Sequence, residues 1–463
     1  MMSILVPTVV LLAAYWARYF LLTVRKGRKI SLLVPLAFTC LFIPKITLIQ
    51  VNPDHSMAGI RTDDLLALLM LAVSLRDART WKNKHILWGV GFLAALTAAG
   101  LISMFTGRAM GYDNAVPFSL LTIVRKYEYF AFALIGIYIA GHTEGADKAA
   151  LEEFTWMSGF HILIGLLQVA GACNYAVIGF LDYWDPSWAN RAISTFNGHY
   201  EYGHFLCFGI AVYLNVFLRT KKPGWLCMVA ACFGMIWLTK SRTSLIAGVL
   251  LAVLILLFSV KKTSSRAVKA GAGACLGLFA LAGILFATGV LDLGRFGSVD
   301  LGEYAGYLKA NVEKGNLREY AAMVRQGIDE STVIAEGITD GSATARFFKW
   351  GAALDGFRQS PLFGYGSGVT EVMDGNYIKL LGEGGILGTV LWLGMFGYWM
   401  RAVWSARRDT APAWSVFWMM VSVLIASVFI DMFEASKPME MLWLAAGLVT
   451  GLQNHCLTGE KNA

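Results

Sequence analysis

The stretch KSRTSLIAGVLLAVLILLFSV, residues 240–260, decides the fold class. From Ser244 to Val260 it holds no charged side chain, and a helical run of that length nearly crosses the ~30 Å hydrocarbon core of a bilayer. Working outward, comparable apolar runs recur at 3–24, 31–50, 58–75, 86–106, 118–141, 152–172, 203–218, 223–239, 270–290, 379–400, 413–430 and 439–454. With this one they make thirteen, of which the first and third are the weakest. The reading is an all-α polytopic membrane protein with about twelve or thirteen transmembrane helices. Composition agrees. The 463 residues are 57% hydrophobic and 15% charged, with mean hydropathy +0.57, which leaves too little charge to cover a water-soluble globule.

Lys and Arg in the connections orient the chain. Loops at 25–29, 76–84, 148, 219–222, 261–269 and 401–408 hold 19 of them, whereas the alternate set holds 6, namely Arg61, Arg108, Arg191, Lys240, Arg242 and Lys437. The first set is expected in the cytoplasm. The N-terminus is then outside, the C-terminus inside, and the charged segment 292–378 outside. No cleavable signal peptide is expected, since the first run lacks a basic flank and a small-residue cleavage site. Cytoplasmic loops account for most of the net charge of +8, so no nucleic-acid partner is implied. Seven cysteines are scattered without CxxC spacing and read as small apolar residues.

Residues 292–378 alone shift in composition, holding 20 of the 70 charged residues. They read as an outer subdomain between membrane segments 1–291 and 379–463. Within it, helical spacing is expected at 317–328 and again from Ala343 to Arg358. The second helix sets Phe347, Trp350, Gly351 and Leu354 on one side, with Arg346 and Lys349 opposite. Pro361, Gly364, Gly366 and Gly368 then form a turn-rich return to the membrane at Asn376.

Outer cations break the topology rule, and three of them stand beside helices that start at the outer face. Arg191 precedes the span near 203, Arg242 opens the span near 244, and Arg346 precedes the span near 376. A helix N-terminus carries unpaired N–H groups and about half a positive charge, which favours phosphate. Ser241, Thr243 and Ser244 add hydroxyl caps beside Lys240 and Arg242. Guanidinium holds phosphate oxygens in a fork, so the three arginines and Lys240 are candidate ligands for a diphosphate. Arg125, Lys126, Glu128, Asp63 and Asp64 are costly inside a bilayer and are expected to form structural ion pairs, as is Glu383. His199, Glu201 and His204 have a spacing that would admit a metal, but the pattern is too common to support one.

These residues fall in an order that resembles the O-antigen ligase and polymerase superfamily of bacterial envelope enzymes, the WaaL and Wzy type. The resemblance runs through RAISTFNGHYEYG (191–203), KSRTS (240–244), Arg346 followed by Trp350 and Leu354, PLFGYGSG (361–368) and NYIKLLGEGGILG (376–388), with weaker echoes at Asp63-Asp64 and Arg125–Tyr129. It implies a GT-C-like fold with a large helical periplasmic loop. It also implies glycosyl transfer at the periplasmic face of the bacterial inner membrane, from an undecaprenyl-diphosphate-linked oligosaccharide. Neither a nucleotide sugar nor a metal would be needed. Membrane lipids, a chain-length regulator and other polysaccharide assembly proteins are the implied partners. The family's diphosphate-binding positions fall on Arg191, Arg242 and Arg346. Many ligases carry a His before the Asn of the last motif, where this chain reads Asp374-Gly375-Asn376. The form Gly198-His-Tyr-Glu201 looks more like exopolysaccharide polymerases.

Such a reaction needs cations on the leaving diphosphate and a base for the acceptor hydroxyl. The expected catalytic set is Arg191, Arg346 and Asp374, with Glu371 and Glu201 as alternative bases. His199, Glu201, Lys349, Glu371, Asn376 and Tyr377 are expected to contact substrate. The reading favours a polymerase over a ligase. A flippase for the same lipid and a non-enzymatic scaffold are the rival classes, although no internal repeat supports a transporter.

Overall fold

The computed structural model describes residues 2–50, 59–112, 116–174, 191–260, 341–369 and 374–459. The expected span 270–290, the helix 317–328 and Glu371 lie outside these residues. Fourteen α-helices are described: α1 Leu5–Phe20, α2 Leu33–Phe42, α3 Thr62–Ser74, α4 Ala78–Trp81, α5 Lys84–Ala109, α6 Val116–His142, α7 Ala146–Val169, α8 His199–Thr220, α9 Gly224–Thr239, α10 Arg242–Val260, α11 Gly341–Gln359, α12 Asn376–Ser405, α13 Ala413–Ala426 and α14 Ser436–Gly459. Among the described residues, five segments are long and apolar enough to cross a membrane: Leu5–Arg25, Lys84–Ala109, His199–Thr220, Arg242–Ser259 and Asn376–Arg408. The chain is an all-α polytopic membrane protein.

The expected span 31–50 is corrected by the structure. Its helix stops at Phe42, because Pro44 disfavours helical geometry at Ile43, which is extended with ψ 146°. The chain continues as a strand, Thr47–Gln50, paired antiparallel with Gly59–Arg61. The expected span 58–75 therefore opens as a strand and becomes helical only at Thr62. One further strand pair, Met2–Ser3 with Cys173–Asn174, is parallel.

Enclosure separates the helices. The apolar window of α8 is 83% buried, that of α10 is 39% and that of α1 only 17%, so α8 is central and α1 peripheral. Against it pack α9, α10 and α13, while α6 and α14 form a second close pair. The α6–α14 approach depends on glycine. A Cβ on Gly136 would lie 2.1 Å from the Leu444 carbonyl oxygen, and one on Gly447 would lie 2.0 Å from that of Ala133. Small residues allow backbones to meet this way in membranes. Beside this pair, Trp399 and Trp443 meet edge to face at 5.4 Å, with Phe130 within 5.8 Å of both.

Helix α12 is broken at Gly385, whose φ of 60° and ψ of −166° are open to glycine and little else. A break exposes backbone groups that lipid cannot satisfy. The loop 361–368 satisfies them. Tyr365 and Gly366 donate N–H to the carbonyls of Gly382 and Glu383, while the carbonyls of Pro361 and Leu362 accept from Ile386 and Leu387. The Ser103 hydroxyl of α5 also donates to the Glu383 carbonyl. The turn-rich sequence before the return to the membrane thus becomes a backbone splint across a split helix.

Candidate functional site

The starts of α8, α10, α12 and α14 meet at one end of the bundle, joined through Tyr200 and Ser244, Thr195 and Lys437, and Asn376 and Phe433. Residues 191–198 cross it as an irregular segment tied on three sides. The Gln168 side chain of α7 accepts from the N–H of Ile193 and Ser194 at 3.0 and 2.6 Å and donates to the Ser194 carbonyl at 2.9 Å. Ala192 donates to the Leu238 carbonyl at the end of α9, 3.1 Å away. From α14, Lys437 donates to the carbonyl and hydroxyl of Thr195 at 2.6 and 3.0 Å and stands over the Phe196 ring. These bonds hold Arg191, which is 9% exposed. Its Nη1 lies 3.3 Å from Nε2 of His199, the first residue of α8.

The α9–α10 corner turns through Lys240, whose φ is +57°. The Ser241 hydroxyl then accepts from the Ser244 N–H at 3.3 Å, a side-chain cap that frees the helix to start at Arg242. Ser244 in turn donates to the Tyr200 carbonyl at 3.4 Å, joining the first turns of α8 and α10. Arg242 is half-buried there, and Lys240 is exposed. Because Leu238 holds the Arg191 segment two residues before Lys240, both cations belong to one corner of the bundle.

The start of α12 forms the next wall. Asp374 has φ +53°, and the Asp431 carboxylate accepts from the N–H groups of Asp374 and Gly375 at 3.3 and 3.1 Å. Asn376 accepts from the Phe433 N–H at 2.6 Å and donates its own N–H to Ser427, while the Tyr377 hydroxyl donates to Leu424. The Asn376 side chain therefore fastens α12 to the α13–α14 connection and that of Tyr377 to the last turn of α13. Arg346 belongs to the first turns of α11, and its side chain lies outside the described set. The exposed surface of that helix differs from expectation. Ala353 and Gly356 pack inward, with Tyr365 against Gly356, and Leu354 is 38% exposed. Trp350 lies over Gly375, bringing the Lys349 turn of α11 to the start of α12.

Below this wall is a cavity of about 40 Å³ lined by Lys126, Asn376, Lys379, Glu383, Trp392 and Glu434, among others. Lys379 pairs with Glu434 at 2.8 Å. Residues 431, 434 and 437 carry much of this scaffolding, and sequence reasoning missed the first two. The available signal was a pair of acids, Asp431 and Glu434, directly behind an apolar run.

Two further buried or half-buried cations, Arg61 and Arg125, gather carboxylates into ion pairs. Arg61 contacts Asp63 at 3.1 Å, Asp64 at 3.3 Å, Glu128 at 3.4 Å and Glu440 at 3.7 Å. Arg125 pairs with Asp64 at 2.5 Å and with Glu128. Lys126 differs from its neighbours and stands 5.7 Å over the Trp392 ring. Carboxylate oxygens of Asp63, Asp64 and Glu128 come within 4.8 Å of one another, and the two arginines supply the positive charge between them. His199, Glu201 and His204 diverge, for His199 meets Arg191 while His204 lies 3.3 Å from Ser422 of α13.

No curated protein matches the chain significantly. A family model described as O-antigen ligase matches residues 227–393, a window that holds most of α9, then α10, α11, the 361–368 splint and the broken part of α12. Over that window, a little over a third of the chain, the sequence is similar to the O-antigen ligase family, which supports the resemblance to the ligase and polymerase superfamily.

Proposed function

We propose that the protein is a polysaccharide polymerase of the bacterial inner membrane, joining undecaprenyl-diphosphate-linked repeat units at the periplasmic face. The observation that carries this reading is the Arg191–Arg242 corner. Two guanidinium groups stand at the starts of adjacent helices, one of them nearly buried and held by bonds from α7, α9 and α14. Such a corner suits an anion that must be gripped at a membrane boundary.

In the proposed reaction an acceptor sugar hydroxyl attacks the anomeric carbon of the donor. The new glycosidic bond forms as the bond from that carbon to the diphosphate oxygen breaks. Arg191, Arg242 and Arg346, with Lys240 at the rim, take up the negative charge that grows on the leaving oxygen. Asp374 accepts the hydroxyl proton, and a single displacement inverts the anomeric centre. Glu201, 7% exposed and near Lys437, is the second choice of base. His199, Lys349, Asn376 and Tyr377 shape the sugar side, and the segment 292–378 reads the acceptor. No step requires a metal or a nucleotide sugar.

The test is incubation of purified protein, reconstituted in vesicles, with its own lipid-linked repeat unit as sole substrate. A ladder of longer chains with release of polyprenyl diphosphate is the expected result. Product only after addition of a separate terminal acceptor would make the protein a ligase. Translocation without new glycosidic bonds would make it a flippase, and inactivity in every arm would favour a scaffold.

A further inference from the structure

Far from that corner, between α2, α7, α8, α13 and α14, lies a second cavity, of about 200 Å³. Phe38, Ala149, Met157, Val212, Met419 and Ala445 represent its walls, which are almost wholly apolar. It extends from mid-helix to the opposite end of the bundle, where Ala146, Arg219 and Ala411 border it. Arg219 and His199 sit at opposite ends of α8, roughly 30 Å apart at 1.5 Å per residue.

Water is a poor occupant of such a space, since an apolar cavity of roughly 150 Å³ stays dry and takes up an apolar guest. The surrounding bilayer supplies one kind of guest in excess, a hydrocarbon tail. The mouth selects the headgroup. Arg219 is exposed and spends one nitrogen on the Ala411 carbonyl at 2.7 Å, leaving the rest of its fork to a ligand. Lys221 and Lys222 are exposed just beyond. Two acids also border the cavity. Glu153 is already paired with Arg18 at 2.9 Å and accepts from Tyr15 at 2.5 Å. Asp147 is outnumbered by the three cations.

We propose that this cavity binds one acyl chain of an anionic phospholipid whose phosphate rests at Arg219. The occupant would brace α7 against α8 and α13 at the end of the molecule remote from the glycosyl-transfer corner. It acts as a structural lipid and does not depend on which reaction that corner performs.

Phosphatidylglycerol carrying a diazirine near the end of one acyl chain, reconstituted with the full-length protein, tests the proposal. After photolysis, peptide mapping should find label on cavity residues such as Met157 and Met419, in addition to lipid-facing residues such as Val390. Ala445→Phe and, independently, Val212→Phe should remove the cavity label and keep the lipid-facing label. Arg219→Gln should lower the preference for phosphatidylglycerol over the matching phosphatidylcholine probe by about fivefold, the effect of one interfacial cation near a charged surface. Label confined to lipid-facing residues of the wild type would overturn the site without reliance on any variant. Equal cavity labelling by both headgroups would overturn the role of Arg219.

Discussion

Arg191 and Lys437 serve the segment 191–198 in different ways. Arg191, beside His199 at the start of α8, is the proposed ligand contact, whereas Lys437 is 1% exposed and spends its ammonium on Thr195, inside the segment that carries Arg191. Replacing Arg191 by Ala should lower the rate of polymer formation about 10²- to 10³-fold, the usual effect of losing one preorganised charge at a leaving group. Arg242→Ala should act in the same direction, with protein levels unchanged in both. Intact activity in Arg191→Ala vesicles would remove the residue from the mechanism. Lys437→Met acts through position. Hydrogen bonds from a charged group contribute about 1.5–3 kcal/mol, so a loss of roughly 10- to 100-fold in kcat/KM is expected, with Lys437→Arg recovering part of it. The sequence singles out Arg191 as a candidate because an arginine expected at the outer face breaks a topology rule. The clamp was not legible in it, for nothing local joins positions 195 and 437.

Helix α12 shows what an element gains from being broken. Gly385 turns the chain, and the 361–368 loop takes over the hydrogen bonds that the turn frees. A Cβ at Gly385 would stand 2.5 Å from the Leu362 backbone, at a φ of +60°. Gly385→Ala should therefore destabilise the protein by at least the ~1–3 kcal/mol of a strained backbone, seen as earlier thermal unfolding in detergent. A conservative Gly397→Ala, at a position with open space around it, should leave the melting curve in place. The glycines of GEGG and the PLFGYGSG turn were both visible in the sequence as special. Their pairing was not, because the bonds between them run from one backbone to another and leave no mark on side-chain pattern.

At the scale of the whole molecule, topology and buried charge decide what is stable. Lys240 and Lys221 belong to opposite ends of the bundle, and both are exposed. In intact cells, Lys240→Cys should react with a membrane-impermeant maleimide and Lys221→Cys should not. The reverse pattern would invert the orientation and move the proposed chemistry to the cytoplasm. Arg61 links α3, α6 and α14 through Asp63, Asp64, Glu128 and Glu440, and Glu440 is fully buried. Removing one partner of a buried pair typically costs about 3–5 kcal/mol. Arg61→Leu should therefore reduce the folded yield in membranes severely, and adding Glu440→Gln should recover part of it.

The sequence by itself determined that the chain is a helical membrane protein with alternating ends, because span length and loop charge are local properties measured against the thickness and asymmetry of a bilayer. It also singled out Arg191, Arg242 and Arg346 by their positions before apolar runs. Only the tertiary structure decided that Pro44 stops α2 short, that a loop mends α12, and that Arg61 gathers carboxylates from three helices. Each of these depends on which backbone and which charge meet across the bundle. Hydropathy is blind to that, since any packing of the same helices would satisfy the lipid equally well.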